Sequence, residues 1–318
     1  MKIDSYDKKI LYELDSDARQ SSQQIARKVR LSKVSVINRI NRLVKKKVII
    51  NFVAQLNYRK LGYINYHIYY SLQDLSIEGE KELIKFLEKI KEIIYIIKID
   101  SRWEIMLALL TQTPEEADRI LNKISNKFGN FIKESRVFPI VRTLYSGRNY
   151  FIDKKSDFDS KIIREKTKVI ELNQKDQKIL KAISSSARNS LINLEAKTKM
   201  RYKVINYHMK NMIKKGVIQK FTINLNNEKF GNLFYKIFFK LSPSLEEIKF
   251  MSEISKQKFS LRIHHFLGEK IIEADFEVPD FNEMRKILRD IKEKFGSQIK
   301  ELEILPVYEI VKLGYCPF

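Results

Sequence analysis

The stretch whose reading decides the fold is Leu31 to Leu43, LSKVSVINRINRL. Ser32 is a good N-cap, because its hydroxyl can accept from an amide two or three residues further on. Val36, Ile40 and Leu43 then recur at helical spacing on one apolar stripe. Lys33, Ser35, Asn38 and Arg42 project from the other side, which is cationic and hydrogen-bonding. A short helix that is apolar behind and basic in front is what a DNA major groove admits. Just upstream, Ser22 to Val29 (SQQIARKV) has the pattern of a second amphipathic helix, with Leu31 closing a tight turn between the two. That arrangement is a helix-turn-helix.

Moving outward, Ile3, Ile10, Leu11 and Leu14 are spaced for a preceding helix capped by Asp4. Lys45, Lys46 and Lys47 end the third helix, where positive charge suits the negative end of its dipole. VIINFVAQLN then reads as a strand pair or wing. Residues 1–60 form this first module and hold 15 Lys/Arg against five Asp/Glu. From Tyr63 the pattern changes. YINYHIYYSL alternates as a strand, Glu78 to Ile93 is helical, and IIYIIKID and RWEIMLALLT are two strands turning near Asp100 to Arg102. Pro114 to Phe128 is a helix and FIKESRVFPIVR a last strand, so residues 61–142 follow the βαββαβ, ferredoxin-like order. Residues 143–168 are mixed-charge and weakly periodic, as in an inter-domain linker.

The chain then begins again. Shifted by 169, Asp7, Ile10, Leu11, Ala18 and Arg19 fall on Asp176, Ile179, Leu180, Ala187 and Arg188. Between residues 3 and 62 no gap is needed, and 18 of those 60 positions are identical. Residues 169–230 are thus a second helix-turn-helix module, with 13 Lys/Arg against four Asp/Glu, and 231–318 a second βαββαβ domain. The fold class expected is α+β: two winged helix-turn-helix domains, each followed by a ferredoxin-like domain.

Over all 318 residues, 61 Lys+Arg against 39 Asp+Glu leave +22, and the pI is near 9.7. Such a balance favours a polyanionic partner, nucleic acid or an anionic membrane surface. The apolar runs IIYIIKI and IMLALL are too short to span a bilayer, so no membrane role and a cytoplasmic, nucleoid-associated location are expected. Cys316 is the only cysteine, which excludes an intrachain disulfide. His67, His208, His264 and His265 have neither cysteine partners nor i,i+4 pairing, so no metal site is expected, and the glycines form no phosphate loop.

The repeated pattern D-x-x-D-x-x-I-L-x-x-L-x-x-D-A-R, then I-A-x-x-V-x-L-S-x-x-x-V-x-x-R-I-x-x-L and V-I, resembles the Lrp/AsnC (feast/famine) family of transcription regulators. Here those positions are Asp4, Asp7, Ile10, Leu11, Leu14, Asp17, Ala18, Arg19, Ile25, Ala26, Val29, Leu31, Ser32, Val36, Arg39, Ile40, Leu43, Val48 and Ile49. The resemblance covers essentially the whole chain, twice. It implies DNA-binding heads on regulatory sheets that pair with one another and often bind amino acids or related small molecules, and it makes further oligomerisation of tandem chains an expectation. The chain departs from the pattern at Lys47, where the family has glycine (present as Gly216 in the second repeat), at Arg201 in place of Ser32, and at His208 in place of Arg39. The family's glycine-and-acid effector turn is only partly matched, by Asp100, Arg102 and Trp103 in one repeat and Gly268 and Glu269 in the other.

In the first head, Lys33, Ser35, Asn38 and Arg42 are expected to face the groove, with Arg39, Lys45 and Lys46 on phosphates. The second head offers Tyr202, Val204, Tyr207 and Asn211, with Lys203, Lys214 and Lys215 beside them. The second faces of the first strands, Tyr63/His67/Tyr69 and Phe234/Phe238, are aromatic enough to meet in an intramolecular pseudo-dimer. The reading adopted is a sequence-specific double-stranded-DNA-binding regulator that needs no cofactor and is not an enzyme. The alternative is a siroheme decarboxylase-like enzyme, since those enzymes have a similar two-domain plan, sometimes as fused pairs, and use histidine and arginine near the middle strands. His264-His265 sits at about that place, but no arginine follows from Phe266 to Ile271 and the first repeat has no histidine there.

Overall fold

The structure, a computed structural model, describes residues 3–152, 168–184, 186–314 and 316. Most of the expected linker, residues 153–167, lies outside the described residues. The first head comprises α1 (Ser5–Ser16), α2 (Ser22–Val29) and α3 (Lys33–Lys45). Their starts are fixed by side chains that satisfy orphan amides: Asp4 and Ser21 close capping boxes with Asp7 and Gln24, and Ser32 accepts from the Ser35 amide. Arg30, at φ 57°, turns the chain from α2 toward α3. Ile10, Leu11 and Leu14, Ile25 and Val29, and Val36, Ile40 and Leu43 are all buried and form one core.

After this head come β1 (Ile49–Leu56), β2 (Ile64–Leu72), α4 (Ile77–Glu88), β3 (Ile93–Ile99), β4 (Ile105–Thr111), α5 (Pro114–Phe128) and β5 (Ile132–Tyr145). The second half repeats the order with α6 (Gln174–Ser184), α7 (Leu191–Thr198), α8 (Tyr202–Lys214), β6 (Ile218–Leu225), a single turn α9 (Asn227–Phe230), β7 (Leu233–Leu241), α10 (Glu247–Ser255), β8 (Ser260–Phe266), β9 (Ile271–Val278), α11 (Phe281–Phe295) and β10 (Ile299–Leu313). Arg201 cannot cap α8 as Ser32 caps α3, and the Glu195 carboxylate instead accepts from the Tyr202 amide at 2.5 Å.

The wing is shared. β1 and β6 pair antiparallel across the two halves, Phe52 opposite Ile223 and Ala54 opposite Phe221. Below this ribbon the eight remaining strands close into a barrel in the order β10-β3-β4-β2-β5-β8-β9-β7. Each half supplies a four-stranded ferredoxin-like sheet, and the seams β5–β8 and β10–β3 join them. Among the described residues, closure pairs every barrel strand on both sides. Alternation along β2 sorts its side chains: Tyr66, Ile68 and Tyr70 pack under α4 and α5, while His67 and Tyr69 point into the barrel. There Tyr69 meets Phe238 with ring centroids 4.9 Å apart, and Phe138 stacks on Phe266 at 4.7 Å. The aromatic faces expected to meet do so, inside one chain. Among the described residues no helix is long and apolar enough to cross a membrane.

Candidate nucleic-acid interface and the buried centre

The apolar stripe of α3 faces its own core, which leaves Lys33, Asn38, Arg42, Lys45 and Lys46 exposed and Ser35 half-buried at the head's surface. Two arginines carry a second task. The buried Asp7 carboxylate receives Arg42 Nη2 at 2.7 Å and Arg39 Nη1 at 2.8 Å, and Arg39 also reaches Asp4 at 2.7 Å. A buried carboxylate requires such partners, so Arg39 and Arg42 tie α3 to α1 as well as bordering the outer face. The second head keeps half of this tie, with His208 Nδ1 2.7 Å from Asp176. On α8, Tyr202, Lys203, Tyr207, Lys214 and Lys215 are exposed, and Val204 and Asn211 are half-buried.

The five residues of the expected effector turns are not gathered into a cavity. Arg102 is paired with Glu303 of β10 at 2.8 Å, and Trp103 is buried beneath the guanidiniums of Arg102 and Arg136. Asp100, Gly268 and Glu269 are exposed at turns. Pairing with Glu303 occupies Arg102, and packing covers the face of the Trp103 ring.

A cavity of about 130 Å³ lies elsewhere, between the shared ribbon, the end of α1 and the mouth of the barrel. Gln55, Thr222 and Asn224 line it from the ribbon, Asp15 from α1, and His67, Lys236, His264 and Glu277 from the barrel. Arg148 joins these bodies: it pairs with Asp15 at 2.8 Å and with Glu277 at 2.7 Å, while Tyr150 donates to Glu277 at 2.6 Å. Burial alone would raise the Asp15 pKa, but the charges of Lys220 and Arg148, with hydrogen bonds from Thr222 and Arg148, hold it at about 2.

Deeper in the barrel, His67 of the first half and His264 and Glu273 of the second come together, with ligand-type atoms within 4.8 Å of one another. The sequence offers these histidines no cysteine partner and no i,i+4 pair, and spacing could not show this grouping because the three residues meet only through barrel closure. Burial pushes both imidazoles down, His264 well below its usual range, so both are neutral near pH 7. The three residues have the chemistry to hold a metal ion. They also have other occupation: Lys236 Nζ lies 2.6 Å from Glu273 and 2.8 Å from Asp275, Arg262 pairs with Asp275 at 2.9 Å, and Tyr69 donates to Glu273. The buried Lys236 and the partly exposed Arg262 offset the two buried carboxylates, and a further cation would have to displace Lys236.

A duplicated helix-turn-helix on paired βαββαβ sheets defines a class of regulator-like proteins. The AsnC-type helix-turn-helix domain matches residues 3–44. The proline dehydrogenase transcriptional activator of Rhizobium radiobacter is 36% identical over 128 residues, which is 39% of this chain and 81% of the activator. The HTH-type transcriptional regulator Ptr1 of Methanocaldococcus jannaschii is 30% identical over 142 residues, 44% of this chain and 84% of the regulator. The chain belongs to the Lrp/AsnC family, in a tandem form with two such units.

Among solved structures, the siroheme decarboxylase NirDL follows the chain end to end. Alone it gives a TM-score of 0.63 at 11% identity, covering 98% of this chain and 93% of its own. In complex with an iron-uroporphyrin III analogue it gives 0.64 at 12% identity, covering 99% and 94%. At such identity the likeness establishes a common fold. It also corrects the expectation that the chain is not an enzyme: a fold matched over its whole length carries catalysis in another protein, and enzymatic activity is open.

Proposed function

We propose that this chain is a sequence-specific double-stranded-DNA-binding transcription regulator whose two unlike heads act as an intramolecular pseudo-dimer. The observation that carries the reading is where the charge sits. The two ferredoxin-like domains are each neutral, with 12 Lys/Arg against 12 Asp/Glu over residues 61–142 and 14 against 14 over 231–318. The excess lies on the heads, at 15 against five and 13 against four, with a smaller share in the segment between. Phosphate neutralisation supplies much of DNA affinity and all of its salt dependence, and a barrel with no polyanionic partner has no use for a charge concentrated on two helix-turn-helix modules. In this reading Lys33, Ser35 and Asn38 address bases in the first head, Arg42 beside them once its Asp7 tie allows, and Lys45 and Lys46 hold phosphates. Tyr202, Lys203, Tyr207 and Asn211, with Lys214 and Lys215, serve the second head. Such a protein works at the nucleoid, and pairing of two tandem chains into a larger assembly belongs to the same proposal. An effector of amino-acid size would sit in the cavity under the ribbon, which touches both a head and the barrel. Fluorescence anisotropy against genomic duplexes at graded salt tests the reading: binding that weakens steeply with salt supports it, and indifference to duplex DNA in dilute buffer sinks it.

A second reading is favoured by the end-to-end likeness to NirDL together with the buried His67–His264 pair: a siroheme decarboxylase-like activity. The cavity is small for a tetrapyrrole beside the ~300–1,000 Å³ clefts that hold drug-sized ligands, so the ribbon would have to lift from the barrel. Incubation with siroheme, followed by absorbance and by mass of the products, separates the two readings.

A further inference from the structure

The two reading helices share one plan and differ on the faces that look outward. Aligned by the repeat, Lys33 and Asn38 of α3 correspond to Tyr202 and Tyr207 of α8, and Ser35 to Val204. Tyr202 is 47% exposed and Tyr207 67%, so neither ring is used by the head's own core. Tyr207 is nevertheless held. Its ring lies edge-on to His208 at 5.5 Å, and His208 is itself fixed by Asp176 at 2.7 Å. The same head exposes Lys197, Lys199, Arg201, Lys203, Lys210, Lys214 and Lys215. Exposed rings on a cationic head match a surface that offers apolar groups between anionic edges.

In the DNA major groove the one apolar feature among the base edges is the thymine C5-methyl, flanked on both sides by phosphate. We infer that the second head selects a thymine-rich half-site by packing Tyr207 and Tyr202 against thymine methyls, while the first head reads its half-site through hydrogen bonds from Lys33 and Asn38. The inference rests on the regulator reading and adds to it the chemistry of one half-site. The two heads of one chain then require two half-sites of different composition, which a pair of identical heads would not.

Replacing thymine by deoxyuridine tests this directly, because the base pairs in the same way and lacks only the methyl. The probe is the duplex recovered by binding-site selection from a random pool, with deoxyuridine placed in either half-site. The expected result is a loss of roughly fourfold in affinity per buried methyl removed, in one half-site only. Tyr207→Ser and Tyr202→Ser, changes at exposed positions, should each reduce the difference between thymine and deoxyuridine duplexes, and the double variant should bind the two alike. Wild-type protein that binds the selected duplex but ignores the methyls in both half-sites overturns this inference and leaves the regulator reading standing. Failure to bind any duplex overturns both. A methyl effect that survives undiminished in both single variants, or persists in the double variant, also overturns it.

Discussion

Arg19 and Arg188 cross between the two heads, and each donates to the main chain of the other's module. Arg19 Nη1 lies 2.6 Å from the Ala187 carbonyl, and Arg188 Nη1 lies 2.7 Å from that of Ala18. Each guanidinium also stands over the partner ribbon strand's phenylalanine, Arg19 over Phe221 at 5.5 Å and Arg188 over Phe52 at 5.7 Å. The exchange continues in the backbone, where the Ala18 amide donates to Phe221 at 2.9 Å and the Ala187 amide to Phe52 at 2.8 Å. The heads are thus locked to one another at their turns and do not swing independently on β1 and β6. Removing either guanidinium leaves the carbonyl of a buried alanine without its donor, at a cost of about 1–3 kcal/mol. Arg19→Ala and Arg188→Ala should each lower the urea midpoint by a corresponding amount, with the double variant departing from additivity because the two sites share the ribbon.

The Arg148 hub should show itself in acid. The Asp15 pKa in the folded chain, about 2, is below its ordinary value of 3.8. The stability this carboxylate contributes is therefore present above about pH 4 and is lost as the pH falls toward 2, of order 2 kcal/mol at one unit per 1.36 kcal/mol. Urea midpoints measured from pH 5 to 2 should fall less steeply for Asp15→Asn than for the wild type. Arg148→Met removes the guanidinium that Asp15 and Glu277 share, leaving Lys220 and Thr222 to the first and Tyr150 to the second, and should cost about 3–5 kcal/mol at neutral pH.

Lys47 takes a left-handed conformation at φ 56°, and the equivalent Gly216 does so at φ 69°. A side chain there costs roughly 1–2 kcal/mol. Lys47→Gly should accordingly raise the thermal midpoint, and Gly216→Ala should lower it. Equal and small effects from both would show that the turn relaxes without strain.

Base and phosphate roles in the first head are separable. Asn38→Ala should relax sequence preference, a good bidentate contact to adenine being worth about 1–3 kcal/mol. Lys45→Ala should weaken all duplexes alike and reduce the salt slope by about one. Competition binding with selected and scrambled duplexes at three salt concentrations distinguishes them. Identical behaviour of the two variants would contradict the assignment.

The heads and the strand order were legible because their signals are local: Ser32 with Val36, Ile40 and Leu43 defines a capped amphipathic helix, and the alternation in Tyr63–Leu72 defines a strand with two faces. The repeat made the second half readable from the first. The meeting of Tyr69 with Phe238 was also legible, from the aromatic faces of their strands, but the polar relations created by closing the barrel escaped. The meeting of His67 with His264 and Glu273, the pairing of Arg148 with Asp15 and Glu277, and the sealing of Trp103 beneath Arg102 and Arg136 join residues with no mutual spacing rule. The reuse of Arg39 and Arg42 as ties to Asp7 was hidden for the same reason, although the acids at positions 4 and 7 of a basic module were a signal of charge paired internally.

Selection of binding sites from a random duplex pool by the full-length chain tests the central claim most directly. Two unlike heads fixed in one chain predict a bipartite site whose halves differ in sequence, at a centre-to-centre spacing of about one helical turn, ~34 Å, or a multiple of it. A perfect palindrome, or no enrichment of any duplex even at low salt, would contradict it.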